Sequence, residues 1–362
     1  MTFQKVPLAE PPAAVRELLD AAGVERLRRE LRLDPGPLRR LRTQFFKHFA
    51  GREAALAELP DNVRDTFAEQ LCFHPLCLES RHDSQLDGAT KLLLRTRGGH
   101  LLESVILRTG TGRVALCVSS QVGCAAACDF CATGHMKMVH NLSAAEIVDQ
   151  IVQAGELLRS EGRRVRNIVF MGMGEPLHNE ENLAAALDAL LAPDLFHHPP
   201  TRILVSTVGI PAAMVRLARR FPQVNLALSL HSADQKQRED LIPLARRYPL
   251  GALRDAIRQC NDAQQRPLMI EYLMLAGRTD APADAERLIE YLDGLNVHLN
   301  LIPFNPIEDA LHLAGSDRPT RDAFAARLRQ AGLTTTIRYS LGADVAAACG
   351  QLVRRENRRR GS

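Results

Sequence analysis

Between Arg113 and about residue 331 the chain repeats one pattern six times: a short apolar run, then a longer amphipathic stretch. The apolar runs are Val114–Val118, Asn167–Met171, Arg202–Ser206, Asn225–Ser229, Met269–Leu275 and His298–Pro303. The amphipathic stretches lie near 143–160, 180–192, 210–220, 251–262, 281–293 and 320–331. The first kind has the length of a strand and the second the length of a helix. Ser143 followed by Glu146 has the form of a capping box and marks where the first helix starts. Strands joined through helices run parallel, because a crossover of that length returns the chain to the same end of the sheet. The expected fold is therefore α/β, a partial (βα)6 parallel barrel over 114–345 with its active site at the C-terminal ends of the strands.

Two further regions flank that core. Residues 1–85 read as a helical accessory domain: Leu18, Leu19, Leu27 and Leu31 recur at near-helical spacing, Asp34-Pro-Gly-Pro37 interrupts them, and Asp61–Leu71 reads as another helix. Residues 86–113 read as a β-extension, with Lys91–Arg95 and Glu103–Leu107 as strands around a Gly98-Gly99 turn. Residues 346–362 form a C-terminal segment with a basic tail.

Charge and composition narrow the class of protein. No apolar run reaches the ~18 residues of a membrane span, and Met1–Glu10 lacks the layout of a secretory leader. A cytoplasmic monomer is expected. In that compartment eight cysteines are metal ligands or redox groups before they are disulfides. The net charge of +4 is small, but arginines and lysines crowd two places: Arg26 to Arg52, and Arg354 to Arg360. Such clusters neutralise phosphates, although a solvated helix face and a frayed tail would look the same. With 4% aromatic residues and no tryptophan, stacking platforms for bases are not expected.

Cys124, Cys128 and Cys131 have the spacing C-x3-C-x2-C and follow the first apolar run directly, where a barrel's active-site loop belongs. A loop of small residues can wrap thiolates around one metal centre. Three cysteines on a [4Fe-4S] cluster leave one iron open, and open positions are what catalytic metal sites keep. The amino and carboxylate groups of S-adenosylmethionine (SAM) can fill that position, and an electron can then cleave its sulfonium. Two other readings of the residues stand beside this one: three buried structural cysteines, or a Cys3His zinc site using His135 or His140. Cys72, Cys77 and Cys260 have no partner at ligand spacing and read as structural.

The spacing matches the radical SAM signature, and its surroundings resemble the RlmN/Cfr family of 23S rRNA adenine methyltransferases. The likeness runs from about Asp87 to Leu352. It is carried by Asp87-Gly-Ala-Thr-Lys91, Glu103-Ser-Val-Ile-Leu107, Cys117 to Gly134, Gly172-Met-Gly-Glu-Pro176, Ser206-Thr207, Ser229-Leu-His231, Asn300-Leu-Ile-Pro-Phe-Asn-Pro306 and Ala347-Ala-Cys-Gly-Gln-Leu352. The resemblance implies a methyl group carried on Cys349, a resolving thiol at Cys117 and a proton acceptor at Glu103. It implies SAM contacts at Gly174, Glu175, Ser206, Ser229, Leu230, His231 and Asn305, and cluster ligation by Cys124, Cys128 and Cys131. It further implies 23S rRNA as substrate, an external electron donor and a thiol reductant. By their residue type alone, Cys349 and Cys117 would pass as inert core cysteines, Glu103 as a strand-surface charge and His231 as a satisfied structural histidine.

Two questions stay open at this level. Phe170-Met-Gly-Met-Gly-Glu175, Ser206-Thr-Val-Gly-Ile210 and Phe221-Pro-Gln-Val-Asn225 look closer to Cfr than to RlmN, so C2 and C8 of adenine both stand as target atoms, and tRNA stands as a second substrate. Two rival classes also stand: a radical SAM enzyme acting on something other than RNA, and a zinc-bearing RNA-binding module without catalysis.

Overall fold

A computed structural model describes residues 15–352. Residues 1–14 and the basic run Arg354 to Arg360 lie outside the described residues. The chain opens with four helices: α1 (Ala21–Glu30), α2 (Pro35–Arg42), which runs on as a π-helical turn over Thr43–Lys47, α3 (Gly51–Leu56) and α4 (Asp61–Gln70). The Asp34-Pro-Gly-Pro break falls between α1 and α2, with Pro35 in the first turn of α2, where its missing N–H costs no hydrogen bond. Asp20 caps α1 by accepting from the Gly23 amide.

A ten-stranded sheet follows. Its first three strands, β1 (Cys77–Asp83), β2 (Ala89–Arg95) and β3 (Leu101–Arg108), are antiparallel, and β3 pairs antiparallel with β4 (Val114–Cys117). From β4 the direction becomes uniform through β5 (Asn167–Phe170), β6 (Ile203–Thr207), β7 (Asn225–Ser229), β8 (Leu268–Met274), β9 (Val297–Pro303) and β10 (Thr335–Ile337). The crossovers carry α5 (Ala144–Ser160), α6 (Glu180–Leu191), α7 (Pro211–Arg220), α8 (Gln235–Leu241), α9 (Leu250–Gln264), α10 (Pro282–Leu292) and α11 (Arg318–Gln330). Ser143 and Glu146 form the expected capping box at the head of α5.

The six predicted barrel strands are present, and the fold is the α/β partial barrel expected from their alternation with helices. Several elements were not foreseen. The strand β1 lies inside the stretch expected to be wholly helical, so the sheet starts at Cys77 rather than near residue 86. A seventh parallel strand, β10, extends the barrel sheet beyond β9, and α8 adds a short helix after β7.

Burial alternates along the first barrel strands. Val114, Leu116, Ile168 and Phe170 are sealed under the helices, whereas Ala115, Cys117, Asn167 and Val169 on the other face are only partly covered. The sheet thus has a packed outer face and an inner face that borders an open concavity, as a barrel that does not close should. Among the described residues no helix is long and apolar enough to cross a membrane.

Candidate active site

Strand register places the candidate residues on one face. Val105 sits opposite Cys117, so Glu103, two residues earlier on β3, shares the side of Cys117. Lys91 sits opposite Val105 and joins the same side. Further along, Ser229 is opposite Glu271, Glu271 opposite Asn300, and Asn300 opposite Thr336. A polar belt therefore crosses β7 to β10 on that inner surface. The Glu271 carboxylate is its centre: Oε2 accepts from Ser206 Oγ at 2.6 Å and from Ser229 Oγ at 3.2 Å. Its Oε1 accepts no hydrogen bond and lies 3.8 Å from Arg338 Nη1. Glu271, Thr336 and Arg338 were not foreseen from the sequence, and Asn300 entered only as part of a motif. A lone carboxylate inside the apolar run Leu268–Leu275 was the signal that could have found Glu271.

The cysteine loop is anchored before it is functional. Ser119 Oγ donates to the carbonyl of Glu103 at 2.6 Å and accepts from the Met173 amide, and the Ser119 amide donates to Gln150. Gln121 Oε1 receives the Glu175 amide, and Asn179 donates to the carbonyls of Ser120 and Leu142. At Gly174, with φ +99°, a Cβ would lie 2.5 Å from Gln121 Cβ, so only glycine lets the β5 loop close on the cysteine loop. Gly134 has the same task within the loop, where a Cβ would meet the Cys128 carbonyl at 2.4 Å.

The thiols of that loop sense one another. Burial pushes Cys128 well up, and the neighbouring thiols Cys124 and Cys131 push it further. Cys124 is pushed up to about 12 by burial, against amides of the loop that are aimed at its sulfur, including Ala126 and Ala127. Burial also raises Cys131, against N–H groups of Gly134 and Thr133. Amides turned onto sulfurs suit anionic thiolate ligands. Among the described residues no three histidine, cysteine or carboxylate side chains converge on a point that would hold a single metal ion. The imidazoles that a zinc site would recruit are engaged elsewhere: His135 Nε2 lies 2.8 Å from the Asp129 carbonyl, and His140 Nε2 3.0 Å from Glu146. The donor set fits a cluster better than zinc.

The other candidate cofactor contacts ring the mouth of the barrel. Glu175 is buried, which raises its carboxyl, and its oxygens accept from the Leu177 and Val208 amides at 2.9 and 2.8 Å. His231 stands in a left-handed conformation (φ 59°) after β7. Its ring is driven down to about 3 by burial, with Arg238 adding to the effect, and is therefore neutral. Nδ1 accepts the Leu273 amide at 3.1 Å, and the ring meets Phe130 of the cysteine loop edge-on at 4.7 Å. Leu230 is fully buried, and its amide donates to the Glu271 carbonyl. Asn305 Nδ2 donates to Ser340 Oγ and to the Cys349 carbonyl, both at 3.0 Å.

Cys349 rides on a segment stitched down on several sides. The Ala132 amide donates to Gly350 and Thr133 Oγ1 to the Leu352 carbonyl, which joins the segment to the cysteine loop. Gln351 reaches the Pro306 carbonyl. The Gly342 amide donates to Asp87, and Asp344 accepts from Ser84 and the Gln85 amide. Cys117 and Cys349 are both free thiols. Burial pushes Cys117 up to about 12, and the nearby Cys349 pushes in the same direction. Cys349 is open to solvent but sits within the concavity, and the surrounding protein raises it to about 11 while Arg338 pulls it down. The structure thus brings the pair Cys117 and Cys349 to one place, with Glu103 on the same sheet face.

Residues 118–292 match the model of the radical SAM superfamily, a span that holds the three loop cysteines and stops short of both Cys117 and Cys349. A protein of Rhodopirellula baltica named as a probable RNA methyltransferase is 56% identical over 96% of this chain and 90% of its own length. The dual-specificity RNA methyltransferase RlmN of Sorangium cellulosum is 39% identical, covering 83% of this chain and 85% of that protein. Among solved structures, a radical SAM methyltransferase from Sphaerobacter thermophilus superposes with a TM-score of 0.88 at 37% identity, over 93% of this chain and 99% of its own.

Proposed function

Because the chain belongs to the RlmN-type RNA methyltransferases of the radical SAM superfamily, we propose that it methylates an adenosine of 23S rRNA, at the peptidyl-transferase centre, on ring carbon C2 or C8. Cys124, Cys128 and Cys131 would hold a [4Fe-4S] cluster, and Gly174, Glu175, Ser206, Ser229, Leu230, His231 and Asn305 would hold SAM. When bound, these groups supply a carbon-radical route, which the reaction needs because C2 and C8 of adenine are too electron-poor to attack a sulfonium.

The chain's own residues do the rest. The Cys349 thiolate takes a methyl group in a polar displacement and presents its carbon to the ring. That carbon would lose one hydrogen atom to the radical the bound groups supply and join the ring. The ring would then give up one electron to the external electron carrier and its proton to Glu103. Cys117 then attacks Sγ of Cys349: a sulfur–sulfur bond forms, the sulfur–carbon bond breaks, and the carbon leaves with the electron pair and picks up a proton. Two electrons from an external thiol reductant restore both cysteines. The target base would have to leave its stack to reach Cys349.

The juxtaposition of Cys117 and Cys349 beside the three-cysteine loop carries this reading. A radical SAM enzyme working on a small molecule would have no task for that pair. Mass spectrometry of 23S rRNA from a host with and without this chain tests it. A methyl gain on one adenosine is expected, and fragmentation separates 2-methyl from 8-methyl; unchanged 23S rRNA would overturn the substrate. Several relatives carry the name dual-specificity, which supports assaying tRNA alongside. An rRNA substrate fits a cytoplasmic enzyme.

A further inference from the structure

Lys91 is a lysine in an unusual place. It lies on β2, an inner strand of the sheet, with its side chain 12% exposed, and it points to the same face as Glu103 and Cys117. Its ammonium has two partners. One is Glu103 Oε1 at 3.5 Å, on a side chain only 3% exposed. The other is the backbone carbonyl of Ala346 at 3.4 Å, three residues before the sulfur of the Cys349 segment. An ammonium offsets the cost of keeping a carboxylate charged inside protein, and only a charged carboxylate can accept a proton. The backbone of Glu103 is meanwhile fixed by Ser119. Lys91 is thus the side chain that touches both the strand bearing the acceptor and the segment bearing the carrier.

We propose that Lys91 is a positioning residue for methyl transfer: by bridging Glu103 and the Ala346 carbonyl, it holds the proton acceptor charged and in register with the methyl-bearing sulfur of Cys349. The proposal rests on the roles assigned above to Glu103 and Cys349. It adds no bond-making step. Glu103 takes the ring proton and becomes a carboxylic acid, and Lys91 exchanges no atom with the substrate.

The test uses the full chain with its cluster reconstituted, SAM, a chemical reductant and a 23S rRNA fragment, in single turnover. Three quantities are read: 5′-deoxyadenosine formed, methylated adenosine formed, and the mass of the Cys349 peptide. In Lys91→Met the yield of methylated adenosine per 5′-deoxyadenosine should fall by about tenfold to a hundredfold, in the range misplacement of a reacting group produces. Lys91→Arg, which keeps the cation, should restore most of it, and Glu103→Gln should be uncoupled at least as strongly as Lys91→Met. The proposal is overturned if Lys91→Met keeps the wild-type ratio, or if both products fall together and Lys91→Arg fares no better, as a folding defect would give. The underlying roles fail separately: a wild-type Cys349 peptide that never gains a methyl removes the carrier, and a fully coupled Glu103→Gln removes the acceptor.

Discussion

Cys124, Cys128 and Cys131 reach their places on one loop after β4, whereas Cys117 and Cys349 come together from the first barrel strand and the segment after the last. The loop is nearly self-contained: its amides face its own sulfurs, and its spacing alone sets how far apart they sit. The pair has no such local origin. It exists because β4 to β10 curl the sheet until its end returns to its beginning, and because Asp87, Lys91, Asn305 and Thr133 each hold the returning segment. The three loop thiols are thus placed by local sequence, and the Cys117 and Cys349 pair by the topology of the whole sheet.

The largest effects should follow that division. Cys128→Ser strikes the loop. Iron content should fall, and both SAM cleavage and RNA methylation should drop below detection, as iron analysis and product assays would read. Cys349→Ala strikes the pair. Here the iron content and the SAM-dependent change in the cluster's spectrum should remain, while RNA methylation disappears. A Cys349→Ala protein that still methylates RNA would break the distinction, because the methyl group would then need no protein sulfur.

The same division explains what could be read without coordinates. The six barrel strands and the cluster loop were legible because each is a local signal, a period or a spacing. β1 was not, since Cys77-Leu-Glu-Ser-Arg-His-Asp83 is mostly polar, as an edge strand with one wet side can be. β10 is three residues long, and α8 has a single apolar residue, so neither shows a period. The pair Cys117 and Cys349 came only through family likeness. Glu271 and Arg338 did not come at all: the lone carboxylate in its apolar run was a faint local signal, and the partners that give it meaning lie on other strands. Lys91 was visible only as part of a motif; its two partners are a tertiary fact.

Glu271 offers a middle-sized test, because it lies on the belt between the two sulfur sites. Its Oε2 orients both Ser206 and Ser229, and its Oε1 faces Arg338. Glu271→Gln keeps the shape but removes the charge, and one amide arm can no longer accept. The apparent KM for SAM should rise by about tenfold, the cost of a charge-assisted hydrogen bond. Iron content and Cys349 placement should not change. An unaltered KM with lost RNA methylation would move Glu271 from the SAM side of the comparison to the carrier side.

The smallest effect on activity, and the one that probes how the assembled half is held, concerns His74. It leads into β1, and its Nδ1 lies 2.7 Å from Asp149 and its Nε2 3.5 Å from Glu156, both on α5. Asp149 also accepts the Leu76 amide at 3.0 Å. The contact ties the antiparallel strands to the helix that follows the cysteine loop. Burial alone would push the imidazole down, but the two carboxylates overcome it and lift His74 to about 10. A group raised on folding binds a proton more tightly in the folded chain. Its stabilisation is therefore complete below the unfolded value of about 6.5 and is lost as pH climbs toward 10. Urea unfolding should show a decline of roughly 2–4 kcal/mol across that interval, and His74→Gln should start lower at pH 6 and flatten this part of the decline. Because the loop keeps amides aimed at its own sulfurs when the β1 tie is lost, iron retention at pH 9 should outlast RNA methylation. If the two are lost together, the two halves are mechanically one, and the contrast between a local and an assembled site holds for sequence but not for stability.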